Sequence, residues 1–293
     1  MYALALSLVV TAPLLAPGYL LLRDAVSTPR SYLSDSALGL TEAAPRALPQ
    51  DFTVALASSV LDGGVVVKIL LVAGLWLAGW GAARLTATVL PETGLAGQCV
   101  AVTIAIWNPY VAERLLQGHW SLLVGYGCLP WVATAMLRLR TSRAAPFCGA
   151  CALLFFIALA GLTPTGLLLA ATVVLTCVFA PGAGLRRWVC AALGLGAAVL
   201  VALPWLTASM VAHSLSSSQA QGVPAFAARA EPGLGTLGSL ASLGGIWNAE
   251  AVPGSRTTFF AVIAAVVLFG VVAGGLPVLV RRMNRAQAVP SAS

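Results

Sequence analysis

The chain has 293 residues, of which 59% are hydrophobic and 9% charged, and its mean hydropathy is +0.94. Soluble domains carry about 25% charged residues, so composition excludes a soluble globular protein and points to a polytopic membrane protein. The net charge of +7 would suit nucleic acid. Nine of the sixteen basic residues, however, fall in short connections on one side of the apolar runs, and they set orientation in a bilayer rather than form a nucleic-acid stripe.

Taken in chain order, the apolar runs predict an all-α integral membrane bundle of about eight transmembrane helices. The spans fall at residues 2–22, 64–83, 93–107, 120–137, 146–160, 167–181, 188–208 and 257–280. Arg84, Arg138, Arg140, Arg143, Arg186, Arg187, Arg281, Arg282 and Arg285 all land on one side of the threaded chain. That side is cytoplasmic by the positive-inside pattern, which gives a multi-pass plasma-membrane protein with both termini cytoplasmic. The only lysine, Lys68, lies near the outer end of a span, where its ammonium can snorkel. The first apolar segment lacks a preceding basic residue and reads as a retained span. Residues 1–286 read as a single membrane domain, and 287–293 as a disordered cytoplasmic tail.

The same threading gathers Asp24, Asp35, Glu42, Asp51, Asp62, Glu113, Glu231 and Glu250 outside, with Glu92 alone inside. Three outer segments result, at about 23–63, 108–119 and 209–256. The first opens on Arg23-Asp24 at the mouth of the first span. From Asp51, acting as N-cap, it is expected to form a juxtamembrane helix that ends at Gly63. In the second, Asn108 suits an N-cap, Pro109 the first helical position and Gly118 the exit, so a helix of two to three turns fits between them. On that helix Tyr110 and Arg114 share one face, and Glu113 and Gln117 another. Trp107, Tyr110 and Trp120 suit an interfacial belt. The third segment is Ser-rich over 214–221 and Gly-rich to Gly245, and it ends in polar and aromatic residues around Trp247-Asn248 and Arg256. It reads as a mobile loop with an ordered end.

Soluble-enzyme motifs are absent from the sequence: there is no P-loop, dinucleotide fingerprint or metal-ligand cluster. The six cysteines lie in or beside spans and predict no disulfides, and Cys148-Gly-Ala-Cys151 reads as packing rather than redox or metal chemistry. His119 and His213 are the only histidines. Chemistry therefore concentrates at the outer membrane boundary. A carboxylate at Asp24 can accept a proton from an incoming hydroxyl. The forked guanidinium of an arginine can bind two phosphate oxygens at once, and Arg30, Arg114 and Arg256 are the outer-side candidates. Trp107, Tyr110, Trp120 and Trp247 can stack on a sugar or lie along a lipid chain. Against each stands the plainer reading, in which Asp24 marks a solvated span end, Glu113-Arg114 is a surface pair and the tryptophans are belt residues.

Four strings carry a resemblance: Trp107 through Trp120; Arg23-Asp24-Ala25-Val26 with Pro29-Arg30; Leu48-Pro49-Gln50-Asp51; and Gly244 through Glu250, followed by Pro253-Gly254-Ser255-Arg256. Together they resemble actinobacterial integral membrane proteins of the GT-C glycosyltransferase kind, over roughly residues 10 to 256. The resemblance implies transfer of a sugar from a polyprenyl-phosphate donor to an envelope glycan or glycolipid at the outer face. Asp24 would be the base, and Arg30, Asp35, Asn108, Tyr110, Glu113, Arg114, His119, Trp247, Asn248 and Arg256 would bind substrate. The chain departs from that pattern in its smaller number of spans, its missing soluble C-terminal domain and its lack of Asp-x-Asp. Asp35 is the nearest second acid to Asp24, and dependence on a divalent cation, Mg or Mn, is left open. Two other readings stay open beside the enzyme. One is a non-catalytic scaffold or glycolipid-binding subunit with a protein partner. The other is a lipid-linked sugar transporter, which the scarcity of ionisable groups within the spans disfavours.

Overall fold

A computed structural model describes residues 1–41, 47–142, 145–212 and 222–288. The expectations for Glu42, Arg143, His213 and the Ser-rich stretch 214–221 lie outside the described residues. The fold is almost wholly helical. In chain order the helices are α1 (Tyr2–Thr11), α2 (Asp35–Leu38), α3 (Gln50–Ala57), α4 (Gly63–Val89), α5 (Gly94–Ile106), α6 (Pro109–Gln117) and α7 (Trp120–Thr141). There follow α8 (Pro146–Ala160), α9 (Pro164–Val178), α10 (Arg187–Val211), α11 (Gly222–Ala225), α12 (Gly235–Ala241) and α13 (Phe260–Ala288). The two short strands β1 (Leu21–Leu22) and β2 (Ala25–Val26) form an antiparallel hairpin.

Among the described residues, five helical stretches are long and apolar enough to cross a membrane: Gly63–Val89, Pro91–Gln117 (α5 and α6 taken together across the break at Trp107-Asn108), Trp120–Thr141, Arg187–Val211 and Phe260–Arg281. The other three expected spans are shorter apolar helices. At 1.5 Å per residue, the 15 residues of α8 or of α9 reach about 22 Å, less than a hydrocarbon core of about 30 Å. The first span differs most from its expected bounds of 2–22. Regular α-helix stops at Thr11, a single 3₁₀ turn follows over Ala12–Leu14, and residues 21–22 are already strand. Pro13 and Pro17 account for this, because each removes an amide donor and its ring crowds the preceding turn. At the other end, α13 continues helical through Ala288, into the stretch expected to be a disordered tail.

The chain divides into two compact units. One comprises Met1–Ile106 with His119–Ser218, and the other Trp107–Gly118 with Gln219–Ser293. In the first unit, α4 packs along α7, with glycine on both sides of the crossing. A Cβ on Gly127 would stand 2.1 Å from the Gly74 carbonyl oxygen. Small residues are what allow membrane helices to approach this closely, since bilayer lipid supplies no hydrophobic drive between them. Cys128, Val132 and Met136 of α7 share a core with Leu153 and Ile157 of α8, Val174 of α9 and Cys190 of α10. A second small core joins Ala3 of α1 to Val102 and Ile106 of α5, with Trp76 of α4 against it. Trp76 stacks on Trp80, which meets Trp131 edge-on at 4.8 Å, and the Trp131 indole donates to the Leu77 carbonyl. At the end of α7, Arg140 donates to the carbonyls of Ala180 and Leu185 and so fastens the α9–α10 loop.

The caps explain where the outer helices begin. Asn108 accepts from the Val111 amide at 3.0 Å, Pro109 takes the first position, and Gly118 closes α6 at φ 86°. These are the roles expected from the sequence. Asp51 does not cap α3. It lies inside that helix's first turn behind Pro49, and the helix ends at Ala57, before Gly63. Asp62 is the capping acid instead. It accepts from Gly64 and Val65 and starts α4, so Gly63 opens a helix where it was expected to end one. A short side chain with a free oxygen just before the first turn satisfies otherwise unpaired amides, and Asp62 meets that condition where Asp51 does not.

Candidate functional site

In the first unit, Arg23 and Asp24 are the two-residue loop of the β1–β2 hairpin. Such loops need positive φ and favour glycine. Arg23 nevertheless adopts φ 55°, which for a residue with a Cβ costs on the order of 1–2 kcal/mol. Ser27 pins the hairpin from below: its amide donates to the Leu20 carbonyl at 2.8 Å, and its hydroxyl accepts from the Leu20 amide at 3.0 Å. The loop thus holds the Asp24 carboxylate at the surface, with 53% of its side chain exposed. His119, 95 residues away in the chain and immediately before α7, places Nε2 2.8 Å from Asp24 Oδ2.

Groups in and beside the first outer segment hold the chain in place. Lys68 donates to the carbonyls of Ala16 and Gly18, and Tyr19 donates its hydroxyl to Asp62 at 2.7 Å. That hydroxyl bond, with help from the Val65 and Gly64 amides and Lys68, holds the Asp62 carboxyl below the usual carboxylate range. Arg30 donates to the Ser58 carbonyl, and its guanidinium lies 5.7 Å from the Tyr32 ring centroid. Asp35 is exposed in the first turn of α2, behind the Ser34 cap.

The second unit contains a polar cluster of a different kind. Glu113, 1% exposed, accepts from the Gly245 amide at 3.1 Å on one oxygen and from the Ile246 amide at 3.2 Å on the other. One turn on, Gln117 accepts from the Asn248 side chain at 2.8 Å, and Asn248 caps the following 3₁₀ turn through the Glu250 amide. One face of α6 therefore grips the 245–248 segment, and two of the strings that carry the GT-C resemblance meet here. Beside them Arg256, 2% exposed, forms a two-pronged ion pair with Glu231 and also donates to the Ser242 hydroxyl. Gly244 is required at this point, because a Cβ there would stand 2.5 Å from both Arg256 and Glu231.

The irregular, charged backbone of this cluster is unsuited to hydrocarbon, where every amide and carbonyl must be satisfied internally. Its partner α6 is the polar end of the Pro91–Gln117 stretch, beyond the break at Trp107-Asn108; with Glu113, Arg114 and Gln117 on it, we place it with this cluster outside the hydrocarbon, so that α5 is the part of the stretch that enters the membrane. Burial pushes the Glu113 carboxyl up to about 7. The nearby Glu231 carboxylate adds to the rise, while Arg114, the Ile246 amide and Arg256 oppose it. Glu113 is therefore no member of a surface pair with Arg114, whose guanidinium lies 5.1 Å from the Tyr110 ring centroid. Trp247 meets Phe226 edge-on at 4.9 Å.

The structure thus unites Asp24 with His119, Glu113 with the Gly245–Ile246 amides, and Gln117 with Asn248. It assigns Arg256 to Glu231, a residue absent from the sequence-based candidates. The only sign of Glu231 in the sequence is that it is a lone acid in a glycine-rich stretch. Among the described residues, no group of three His, Cys, Asp or Glu side chains is placed to hold a metal ion. No protein-family model, curated protein or solved structure matches the chain. Fold and composition define its class as an all-helical bundle with helices suited to crossing a membrane.

Proposed function

We propose that the protein is a membrane glycosyltransferase of the GT-C kind, acting at the outer face of the plasma membrane with both termini cytoplasmic. It transfers a sugar from a polyprenyl-phosphate donor to a cell-envelope glycan or glycolipid. The observation that supports this reading best is the Asp24–His119 pair. An exposed carboxylate sits on a strained two-residue loop and is oriented by a histidine from a distant part of the chain. Backbone strain held in place by surrounding structure is common at functional sites, and a solvated end marker needs neither the strain nor the partner.

In the reaction, the acceptor hydroxyl oxygen attacks the anomeric carbon of the donor. The bond from that carbon to the phosphate oxygen breaks, and the electron pair leaves with the polyprenyl phosphate. Asp24 takes the hydroxyl proton, and His119 orients the carboxylate and stabilises its charge until then. Arg30, on the same outer segment, is the candidate for the leaving phosphate. Arg256 is less suited, since Glu231 and Ser242 already occupy its guanidinium.

The test is sugar transfer from labelled polyprenyl-phosphate donors in membranes lacking the native protein, reconstituted at equal expression with wild type, Asp24→Asn or His119→Gln. Transfer restored by wild type and lost in Asp24→Asn supports the reading. Equal transfer by all three removes the pair from the mechanism. No transfer by any of them across a broad donor panel favours the non-catalytic scaffold or glycolipid-binding subunit.

A further inference from the structure

The second unit encloses a half-open cavity of about 430 Å³, bordered by Arg229, Glu231, Pro232, Ile246, Val252 and Arg256, among others. Its charges are not equivalent. Arg256 is engaged by Glu231, Ser242 and, at 3.5 Å, the Ala261 carbonyl. The exposed guanidinium of Arg229 has no hydrogen-bond or ion-pair partner among the described residues. Its backbone is nonetheless fixed. The Arg229 amide donates to the Gly245 carbonyl at 3.1 Å, and two residues on, the Glu231 amide donates to the buried Ser239 hydroxyl at 2.9 Å. With Arg256 paired to Glu231, Arg229 is the cation of the lining left outside that ion pair, and it stands on a fixed backbone in a lining that also includes the apolar Pro232, Ile246 and Val252.

Chain connectivity sets the depth of this cavity. Arg256 and Thr257 border it, and the membrane-length helix α13 begins at Phe260, three residues later. The cavity therefore lies at the mouth of a span, where phospholipid headgroups sit. Phe259 and Phe260, both exposed, suit that same interfacial level. A planar guanidinium takes two phosphate oxygens at once, and the neighbouring apolar wall suits the first carbons of a lipid.

We propose that this cavity is a binding site for the phosphate group of an anionic membrane lipid, with Arg229 as its phosphate ligand. The site is built entirely from the second unit and does not depend on Asp24, His119 or the transfer reaction. Native mass spectrometry of the full chain in detergent, titrated with phosphatidylglycerol or phosphatidylcholine, tests it. Thermal unfolding with inorganic phosphate tests the free-anion source separately. Arg229→Gln should weaken phosphatidylglycerol binding about tenfold, the scale of one lost charge-assisted contact, while its melting temperature without ligand stays that of wild type. Arg187→Gln, which removes a guanidinium lying 4.8 Å from the Trp188 ring centroid in the other unit, should bind as wild type does. Stabilisation by inorganic phosphate alone that vanishes in Arg229→Gln would uphold the phosphate site and make the lipid tail dispensable. Equal phosphatidylglycerol binding by wild type and Arg229→Gln, with no phosphate effect in either, would overturn the proposal.

Discussion

The carboxylate of Glu113 holds the amides of Gly245 and Ile246, one on each oxygen, across 132 positions of sequence in the case of Gly245. This contact makes a helix of the second outer segment the anchor for the end of the third. It also buries an acid next to a second acid, Glu231, in a cluster with a single paired arginine. The consequences are measurable.

Stability should depend on pH through Glu113. Its carboxyl titrates near 7 in the folded protein, against about 4.3 in an unfolded chain. Between these values the folded state binds the additional proton, so this group's contribution to stability is full below about pH 4 and falls as pH rises through about 7. Thermal unfolding in detergent at pH 5 and pH 8 should show wild type losing more stability than Glu113→Gln. The difference should be up to roughly 3 kcal/mol. Parallel losses in both would assign the pH dependence to other groups.

Arg256→Met should destabilise the second unit by about 3–5 kcal/mol, because it leaves Glu231 charged and buried without its partner. Glu231→Leu combined with Arg256→Met should recover much of that loss, since the buried charge is then gone. A double-mutant cycle by chemical denaturation measures the coupling directly. Strictly additive effects would show that the pair is not coupled.

Gly127→Ala should cost about 1–3 kcal/mol by forcing α7 away from α4, as its new Cβ would collide with the Gly74 carbonyl. Gly196→Ala in α10, where no atom stands within 4 Å of the added Cβ, should be neutral or stabilising by up to about 1 kcal/mol. Comparing the two melting temperatures separates close helix approach from helix propensity.

Arg140→Ala should loosen the α9–α10 loop, leaving the Ala180 and Leu185 carbonyls without their guanidinium donors. A loss of about 2–4 kcal/mol is expected from hydrogen bonds made by a charged group. Hydrogen exchange at residues 180–186 should rise selectively. Arg138→Ala, at the neighbouring arginine of the same helix end, serves as the comparison.

Local rules read the helices well because their causes are local. The apolar runs became α4, α5, α7, α8, α9, α10 and α13, and the Asn108, Pro109 and Gly118 signals bounded α6 as expected, each depending on residues within a turn of one another. The β1–β2 hairpin escaped the reading. Leu21 and Leu22 look like the end of an apolar span, and Arg23 occupies a backbone position normally given to glycine. The cap at Asp62 was also missed, because Asp51 carries the same chemistry eleven residues earlier. Only the downstream start of α4 distinguishes them.

Charge partners were the least legible feature. By itself the sequence determined the helical class, the apolar stretches, the α6 caps and which residues share a face of that helix. All of these follow from composition and from the 3.6-residue period. Tertiary structure alone decided that Asp24 meets His119, that Glu113 holds the Gly245 and Ile246 amides, and that Arg256 belongs to Glu231. These contacts cross from 25 to more than 130 positions, and hydrogen bonding falls off within a fraction of an ångström. Such pairings are therefore set by where the packed helices bring the chain back together, which no local pattern of residues encodes.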